Sequence, residues 1–504
     1  MTWKLSVIHQ ITLCCAIGFT LFGYDQGLYS GIVVNSEFLK DFNEPNSTLI
    51  AHISATFDVG CLMGAVLICW MGEKIGRRKT MMSGCIIHAV GGVLQASSYG
   101  PAQMIAGRFV AGFGNGFITA TVPIWQSETA SAERRGKYLC IQLAIVDFGI
   151  VIVNWINFGM RNVASSVAWR FPIALQSAFA LTCCFFVIFL PESPRWLITN
   201  ERFDEGEQAI AKILQLPVDH ENVQSMKTDI MVHVEHEKEV KNAMTLKQAF
   251  SGQDSLQNAR RLFSGAWANA QQQLSGINTI LYYLPFILQH SAGMDNTMVL
   301  ILNACNSMNL AFFTLLGWFV IDRVGRKKLM SIGFFFEGIC FALVTVGLAV
   351  NTKQSQFVSV AFMFFYNTVF SVTTNATPYL YAAEVNSQYF RSLGGALGSV
   401  GNWTFNYIVV LITPIGISNI GWRLYIVFTV FNFAFCPITW FFYVETAGLT
   451  LEQVDELFER LYYKKKGIEN PVLPVEQSKA IKEVKGGEIT VAQSENVDDT
   501  QGKV

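Results

Sequence analysis

The stretch "GEKIGRRK" (Gly72 to Lys79) returns, slightly altered, as "IDRVGRKK" (Ile321 to Lys328). The glycine before the basic run is Gly76 in the first copy and Gly325 in the second, 249 positions apart. Two further landmarks keep nearly that interval. "PIWQSE" ends at Glu128 and "PYLYAAE" at Glu384, 256 apart, while "LPESPRW" and "YVETAGL" place Glu192 and Glu445 253 apart. Three near-equal offsets read as a duplication of a unit roughly half the chain long.

Composition says what kind of unit is duplicated. Hydrophobic residues make up 51% of the 504 positions and charged residues 14%, against roughly 25% charged in an average soluble chain. Apolar runs of the length a bilayer-crossing helix needs occur twelve times, at 7–34, 50–70, 81–97, 102–124, 138–159, 171–190, 262–289, 298–321, 329–350, 357–383, 393–415 and 422–443. They are continuous rather than alternating, so they predict helices that satisfy their own backbone and not a barrel. The expected fold is an all-α membrane protein, twelve transmembrane helices in two pseudo-symmetric six-helix bundles. Its units are residues 1–190, a charged helical linker at 191–260, a second bundle at 261–443 and a tail at 444–504, disordered after about 463.

Charge distribution orients the chain. The connections at 71–80, 128–137, 322–328 and 384–392 hold twelve Lys and Arg, against five in the opposite connections. Positive-inside bias puts both termini and the linker in the cytoplasm. The 35–49 loop then lies outside, where Asn46-Ser47-Thr48 is a glycosylation acceptor. Eleven cysteines show no metal spacing and read as packing residues. The chain offers no nucleophile–base constellation, metal set or cofactor loop: "GFGNG" lies inside an apolar span with no strand before it. An enzyme, a cofactor and nucleic-acid binding are not expected.

Two homologous bundles facing each other enclose a midline cavity that opens to either side by rocking. Glycines 107, 112, 114 and 116 and prolines 285, 378 and 414 are the expected breakers or close-packing positions in the spans.

The pieces "GEKIGRR", "GRFVAGFGNG", "PESPRWL", "QQQLSGIN" followed by Tyr282-Tyr283, "DRVGRK" and "GNWTFN" resemble the sugar porter branch of the major facilitator superfamily, in particular its fungal hexose and polyol transporters. The resemblance runs from about residue 18 to 458. It implies a monomeric carrier of a small sugar or polyol in the bilayer, with the plasma membrane as its place, and either proton symport or passive facilitation.

The residues suggest how such a carrier works. Arg77, Arg78, Arg135, Arg326 and Arg391 stand at helix ends with Glu128, Glu192, Glu384 and Glu445, an expected gate closing the two bundles on the cytoplasmic side; topology setting alone is the other reading. Exposed ion pairs contribute only about 0–1 kcal/mol each, so a gate needs a network. Gln142, Gln272, Gln273, Asn278, Asn402 and Asn406 offer donors and acceptors together, as a ring of hydroxyls requires. Trp403 adds an aromatic face. Tyr379 stands where the resembling family usually has Trp, which alters pocket volume and polarity. Asn306 and Asn309 compete for one more contact.

"LFGYDQGLYSG" (Leu21 to Gly31) sets Asp25 at bilayer depth, at a cost of several kcal/mol unless it is paired or protonated. Arg108 is the expected partner. A pairing that changes with conformation would let Asp25 bind a proton on one side and lose it on the other; a fixed structural pair is the alternative. Asp147 either joins this site or bonds a hydroxyl.

Overall fold

A computed structural model describes residues 6–129, 135–243 and 254–467. The first bundle comprises α1 (Val7–Ile32), α3 (Ser47–Ile75), α4 (Arg77–Ala96), α5 (Pro101–Thr129), α6 (Arg135–Met160) and α7 (Val167–Ile188), with a short α2 (Ser36–Asp41) in the first loop. The linker forms α8 (Pro194–Thr199), α9 (Phe203–Leu214) and α10 (Glu221–Ala243). The second bundle comprises α11 (Asn258–Leu274) with α12 (Ile277–Ala292), α13 (Asn296–Val324), α14 (Arg326–Val350), α15 (Lys353–Thr373) with α16 (Thr377–Val385), α17 (Arg391–Ile420) and α18 (Leu424–Phe442). A last helix, α19 (Leu451–Lys465), docks on it; the tail expected to be disordered lies beyond the described residues.

Among the described residues, eight stretches are individually long and apolar enough to cross a membrane, one of them containing both α17 and α18. The three expected spans that fall short do so for visible reasons. Helix α4 starts in the basic run, α5 carries Arg108 and Asn115, and α11–α12 is interrupted. The bundles meet along α3 against α17, α6 against α13 and α1 against α12.

Small residues set the helix spacing. A Cβ on Gly112 would stand 2.1 Å from the Phe57 carbonyl of α3, and one on Gly114 2.4 Å from the His88 nitrogen of α4. Helix α5 is therefore wedged between α3 and α4 at backbone contact, which carries its Arg108 into the centre of the first bundle. Of the expected breakers, Pro285 and Pro414 sit inside continuous helices. The interruptions fall at Gly276 and just before Pro378.

The duplication is visible in atomic detail at the arginine-rich end. Gly76 and Gly325 both take a positive φ, 92° and 94°, a conformation in which glycine carries no steric penalty. Each starts a helix whose first free N–H groups are taken by a carboxylate. Glu192 accepts from the backbones of Arg77 and Arg78 at 2.9 and 3.0 Å. Glu445 accepts from Arg326 and Lys327 at 2.8 and 3.2 Å. An anion here meets both the orphan donors and the positive end of the helix dipole. The arginine side chain then reaches a second acid: Arg77 forks onto Glu128 at 2.7 and 2.9 Å, and Arg326 reaches Glu384 at 2.9 Å. Each clasp joins helices of one bundle. In this structure the charges expected to bridge the bundles instead lock each bundle's own helices; Arg391 opens α17, and the Arg135 side chain lies outside the described residues.

Replacing Glu192 or Glu445 by Ala removes two helix-capping acceptors at once. Each variant is expected to lose about 1–2 kcal/mol of stability, read as a lower midpoint in heating followed by size-exclusion chromatography. Unchanged midpoints in both would show that the clasps are not structural.

Candidate functional site

The two helix interruptions face one another. Gly276 takes φ +97°, and a Cβ there would meet Phe341 and Phe428 at 2.9 Å. The turn frees the Ser275 carbonyl, which accepts from Asn432 at 2.8 Å and from Tyr366 at 3.2 Å. On the other side Pro378 has no N–H to give the carbonyl of Thr374, four residues back. Gln272 fills that vacancy. Its Nε2 donates to the carbonyls of Thr374 and Asn375, both at 2.7 Å.

Around this joint the amides gather. Gln273 Nε2 lies 3.4 Å from Gln272 Oε1 and donates to Asn402 Oδ1 of α17 at 2.5 Å. Asn278 donates to Gln273 Oε1, and the Tyr379 hydroxyl donates to Asn402 Oδ1 at 3.0 Å. Gln272, Gln273, Asn278, Asn402 and Tyr379 therefore form one buried network across three spans. Asn406 is fully buried and neither of its amide atoms has a hydrogen-bond partner, nor has Gln142 Nε2 on α6. Trp403 goes elsewhere: it packs on Phe22 of α1, ring centroids 5.6 Å apart, in a small core with Phe57, Cys61, Ala65 and Ala111 that joins the bundles.

Two polar bridges between the bundles were not legible. Ser30 donates to Asn154 Oδ1 at 2.9 Å, and Asn303 Nδ2 reaches Asn154 at 2.8 Å and Ser30 at 3.0 Å. Ser47 and Ser418 touch at 2.5 Å. Deeper, Asp147 accepts from Thr314 at 2.6 Å and Asn375 at 3.1 Å, so it bonds a hydroxyl. Of the competing asparagines, Asn309 is held by Phe364 O and Thr368 inside its own bundle, and Asn306 keeps an unpartnered Oδ1. Asn46 caps α3 by accepting from the Leu49 N–H at 2.8 Å.

The first bundle holds a compact set of ionisable groups, all fully buried: Asp25, Asp58, His88 and Arg108. The nearest polar atom to Asp25 is not on Arg108. His88 Nε2 lies 3.2 Å from Asp25 Oδ2, while Arg108 donates to the carbonyls of Ile53 at 3.1 Å and Ser54 at 2.9 Å. The guanidinium sits between the rings of Tyr29 and Phe57, 4.2 and 4.4 Å from their centroids, and acts on both acids through space. His88 Nδ1 is 3.0 Å from the Ala111 carbonyl. A carbonyl only accepts, so Nδ1 carries a hydrogen and Nε2 faces Asp25 with its lone pair unless the ring is charged. Neither Asp25 oxygen nor His88 Nε2 has a hydrogen-bond partner among the described residues. From the other bundle Tyr282 lies against Asp58 and Tyr283 against Ser54. Sequence reasoning missed His88, a lone histidine in an apolar run.

Two six-helix bundles, a midline amide network on broken helices and buried charges behind it define a secondary transporter of the major facilitator class. The family described as "Sugar (and other) transporter" matches residues 11–458, and the chain belongs to it. It is 40% identical over 475 residues to the MFS-type transporter oryC of Aspergillus oryzae, covering 92% of this chain and 86% of that one. It is 32% identical to the sugar transporter STL1 of Saccharomyces cerevisiae, covering 90% and 82%. Among solved structures, the inward-open xylose transporter XylE from E. coli superposes with a TM-score of 0.73 at 23% identity, covering 89% of this chain and 99% of that one. The chain is a transporter and not an enzyme.

Gln272→Ala would leave the Thr374 and Asn375 carbonyls without their donor. Stranding such buried groups costs about 1–3 kcal/mol, and a matching drop in thermal stability is expected, larger than for Gln142→Ala. Equal effects would mean the joint does not depend on that amide.

Proposed function

We propose that this transporter imports a monosaccharide or polyol together with a proton by alternating access. The single observation that carries the reading is the contact between two parts. The buried Asp25–His88, Asp58 and Arg108 set of one bundle is covered by Tyr282 and Tyr283, on the same interrupted span that presents Gln272, Gln273 and Asn278.

The amides serve a hydroxylated solute for a physical reason. Gln273 and Asn402 now satisfy each other, so an incoming hydroxyl, which donates and accepts, replaces those bonds one for one. Asn406 and Gln142 supply groups with free capacity, and the Tyr379 hydroxyl reaches the same Asn402 oxygen. Sugar-sized ligands gain little from the exchange itself; specificity comes from which hydroxyls find a partner.

The proton belongs to the other half of the arrangement. Asp25 is fully buried, and Tyr282 and Tyr283 close the same cluster at Asp58 and Ser54. When α12 moves away, water reaches Asp25 and its proton can leave. Arg108 acts on the acid through space, and His88 offers a second position for the same proton. A change in the distance among these groups is a change in proton affinity. Passive facilitation is the second reading, favoured by the same cluster: with one of the two acids holding a proton, Arg108 balances the other and the set is electrically self-contained, as a structural unit would be.

The rest of the proposal follows the charge pattern and the resemblance. The arginine clasps face the cytoplasm with both termini, the protein works as a monomer in the plasma membrane, and Asn46 lies outside and is glycosylated. Opening toward the cytoplasm then requires the clasp-bearing ends of the two bundles to part as rigid units. Arg77, Arg78, Arg135, Arg326 and Arg391, with Glu128, Glu192, Glu384 and Glu445, are the cytoplasmic gate in that picture.

Asp25→Asn is expected to abolish accumulation of labelled sugar against its gradient in a transporter-null yeast, while exchange of internal for external sugar persists. Uphill, protonophore-sensitive uptake at the parental level in this variant would remove Asp25 from the coupling.

A further inference from the structure

The duplication that aligns Gly76 with Gly325 also aligns His88 with Glu337, both twelve residues further on and again 249 apart. It brings Asp25 of α1 into register with Ser275, 250 positions on, at the break between α11 and α12, the counterpart of α1. Where the first bundle has an acid facing a histidine, the second has a hydroxyl beside an acid.

Glu337 is fully buried in α14. Its Oε1 accepts from the Thr374 hydroxyl, Ser275 lies beside it, and Oε2 has no hydrogen-bond partner. Ser275 in turn shares a bond of 2.8 Å with the Tyr366 hydroxyl. The titratable groups on the packed elements are Tyr366 from α15, Tyr425 from α18, stacked with Phe341, and Cys340 of α14 itself. No cation and no second carboxyl is among the described groups that act on Glu337. A carboxylate without a counter-charge in such a place is far costlier to bury than the neutral acid, and an intramembrane acid is by default a functional group.

Its connections lead to the substrate joint. Thr374, whose hydroxyl bonds Glu337, is the residue whose carbonyl receives Gln272. Gln272 is adjacent to Gln273, and Gln273 is bonded to Asn402. Two hydrogen bonds separate the acid from Gln272, and one chain step and a third bond lead on through Gln273 to Asn402.

We propose that Glu337 is a second proton-binding site, private to the C-terminal bundle, and that its protonation sets the affinity of the amide site through Thr374 and Gln272. The proton is taken from water onto Oε2, the oxygen with no partner, and returns to water when the bundle interface opens; no other bond is made or broken. Charging the acid strengthens its hold on the Thr374 hydroxyl, which pulls on the short linker between α15 and α16 and on the carbonyls that orient Gln272. The link to substrate rests on the sugar-site reading above; the titration of Glu337 does not.

A purely structural acid would serve Thr374 equally well as an amide, so Glu337→Gln separates the readings: it keeps the acceptor and cannot ionise. The test uses purified full-length protein in lipid nanodiscs, with infrared difference spectra between alkaline and acid pH. The wild type and Asp25→Asn are expected to share a protonated-carboxyl band that is lost in E337Q and returns, displaced, in Glu337→Asp. An E337Q spectrum identical to wild type overturns the proposal, whether or not transport is coupled to protons. In vesicles, with D-glucose, D-xylose and D-sorbitol as probes, the half-saturating concentration of a transported probe is expected to vary with pH in wild type and to lose that variation in E337Q. Loss of the band with an unaltered pH profile overturns the link to the amides. Loss of the band in a protein whose wild-type uptake ignores a protonophore upholds the site and rejects symport.

Discussion

An ionised side chain inside a bundle of spanning helices has no water to turn to, so every charge there must find its counterpart within the protein. Much of the architecture answers that requirement. Backbone contact at Gly112 and Gly114 brings α3, α4 and α5 close enough for His88 to reach Asp25 and for Arg108 to act on both Asp25 and Asp58. Arg108 gives Nε and Nη2 to two helix carbonyls and its faces to two rings, while Nη1 has no hydrogen-bond partner among the described residues and the charge acts on both acids. The last wall of this chamber is supplied by the other bundle, as Tyr282 and Tyr283. Burial of the charges and contact between the bundles are therefore one condition, and motion between the bundles must change the electrostatics.

The same logic operates on the backbone. A span that breaks in an apolar layer strands carbonyls, and each stranded group needs a donor. Gly276 and Pro378 produce two breaks, and Gln272, Tyr366 and Asn432 repair them. One of these repairs, the one at Pro378, is made by a residue of the amide network itself, Gln272. The clasps at Gly76 and Gly325 tie helix ends together within each half.

The twelve spans, their halves and the charged ends were legible because apolar length and repeated motifs are strong signals. The amide set was legible in part: Gln272, Gln273, Asn278, Asn402 and Tyr379 meet, since their spacing on one span and the neighbouring motifs brought them to one layer. Trp403 points to a contact with Phe22 that only tertiary packing decides. The partner of Asp25 was misjudged because opposite charge favoured Arg108, whereas the geometry gives the near position to His88. The repeat held the clue, since the histidine occupies the position of Glu337, but one imidazole among apolar neighbours carries little weight by itself. The clasps were expected between bundles, yet Arg77, Glu128 and Glu192 all belong to one copy of the repeat, and Arg326, Glu384 and Glu445 to the other. A motif duplicated with its partners bonds inside each copy.

The account depends on the bundles separating at the end where Ser47 of α3 meets Ser418 of α17. The direct measurement is sugar uptake by the double variant Ser47→Cys, Ser418→Cys under oxidising and reducing conditions. Uptake is expected to stop when the disulfide forms and to recover fully on reduction, with each single variant unaffected. Uptake at the uncrosslinked rate by fully crosslinked protein would contradict a mechanism in which the two halves rock about a site between them.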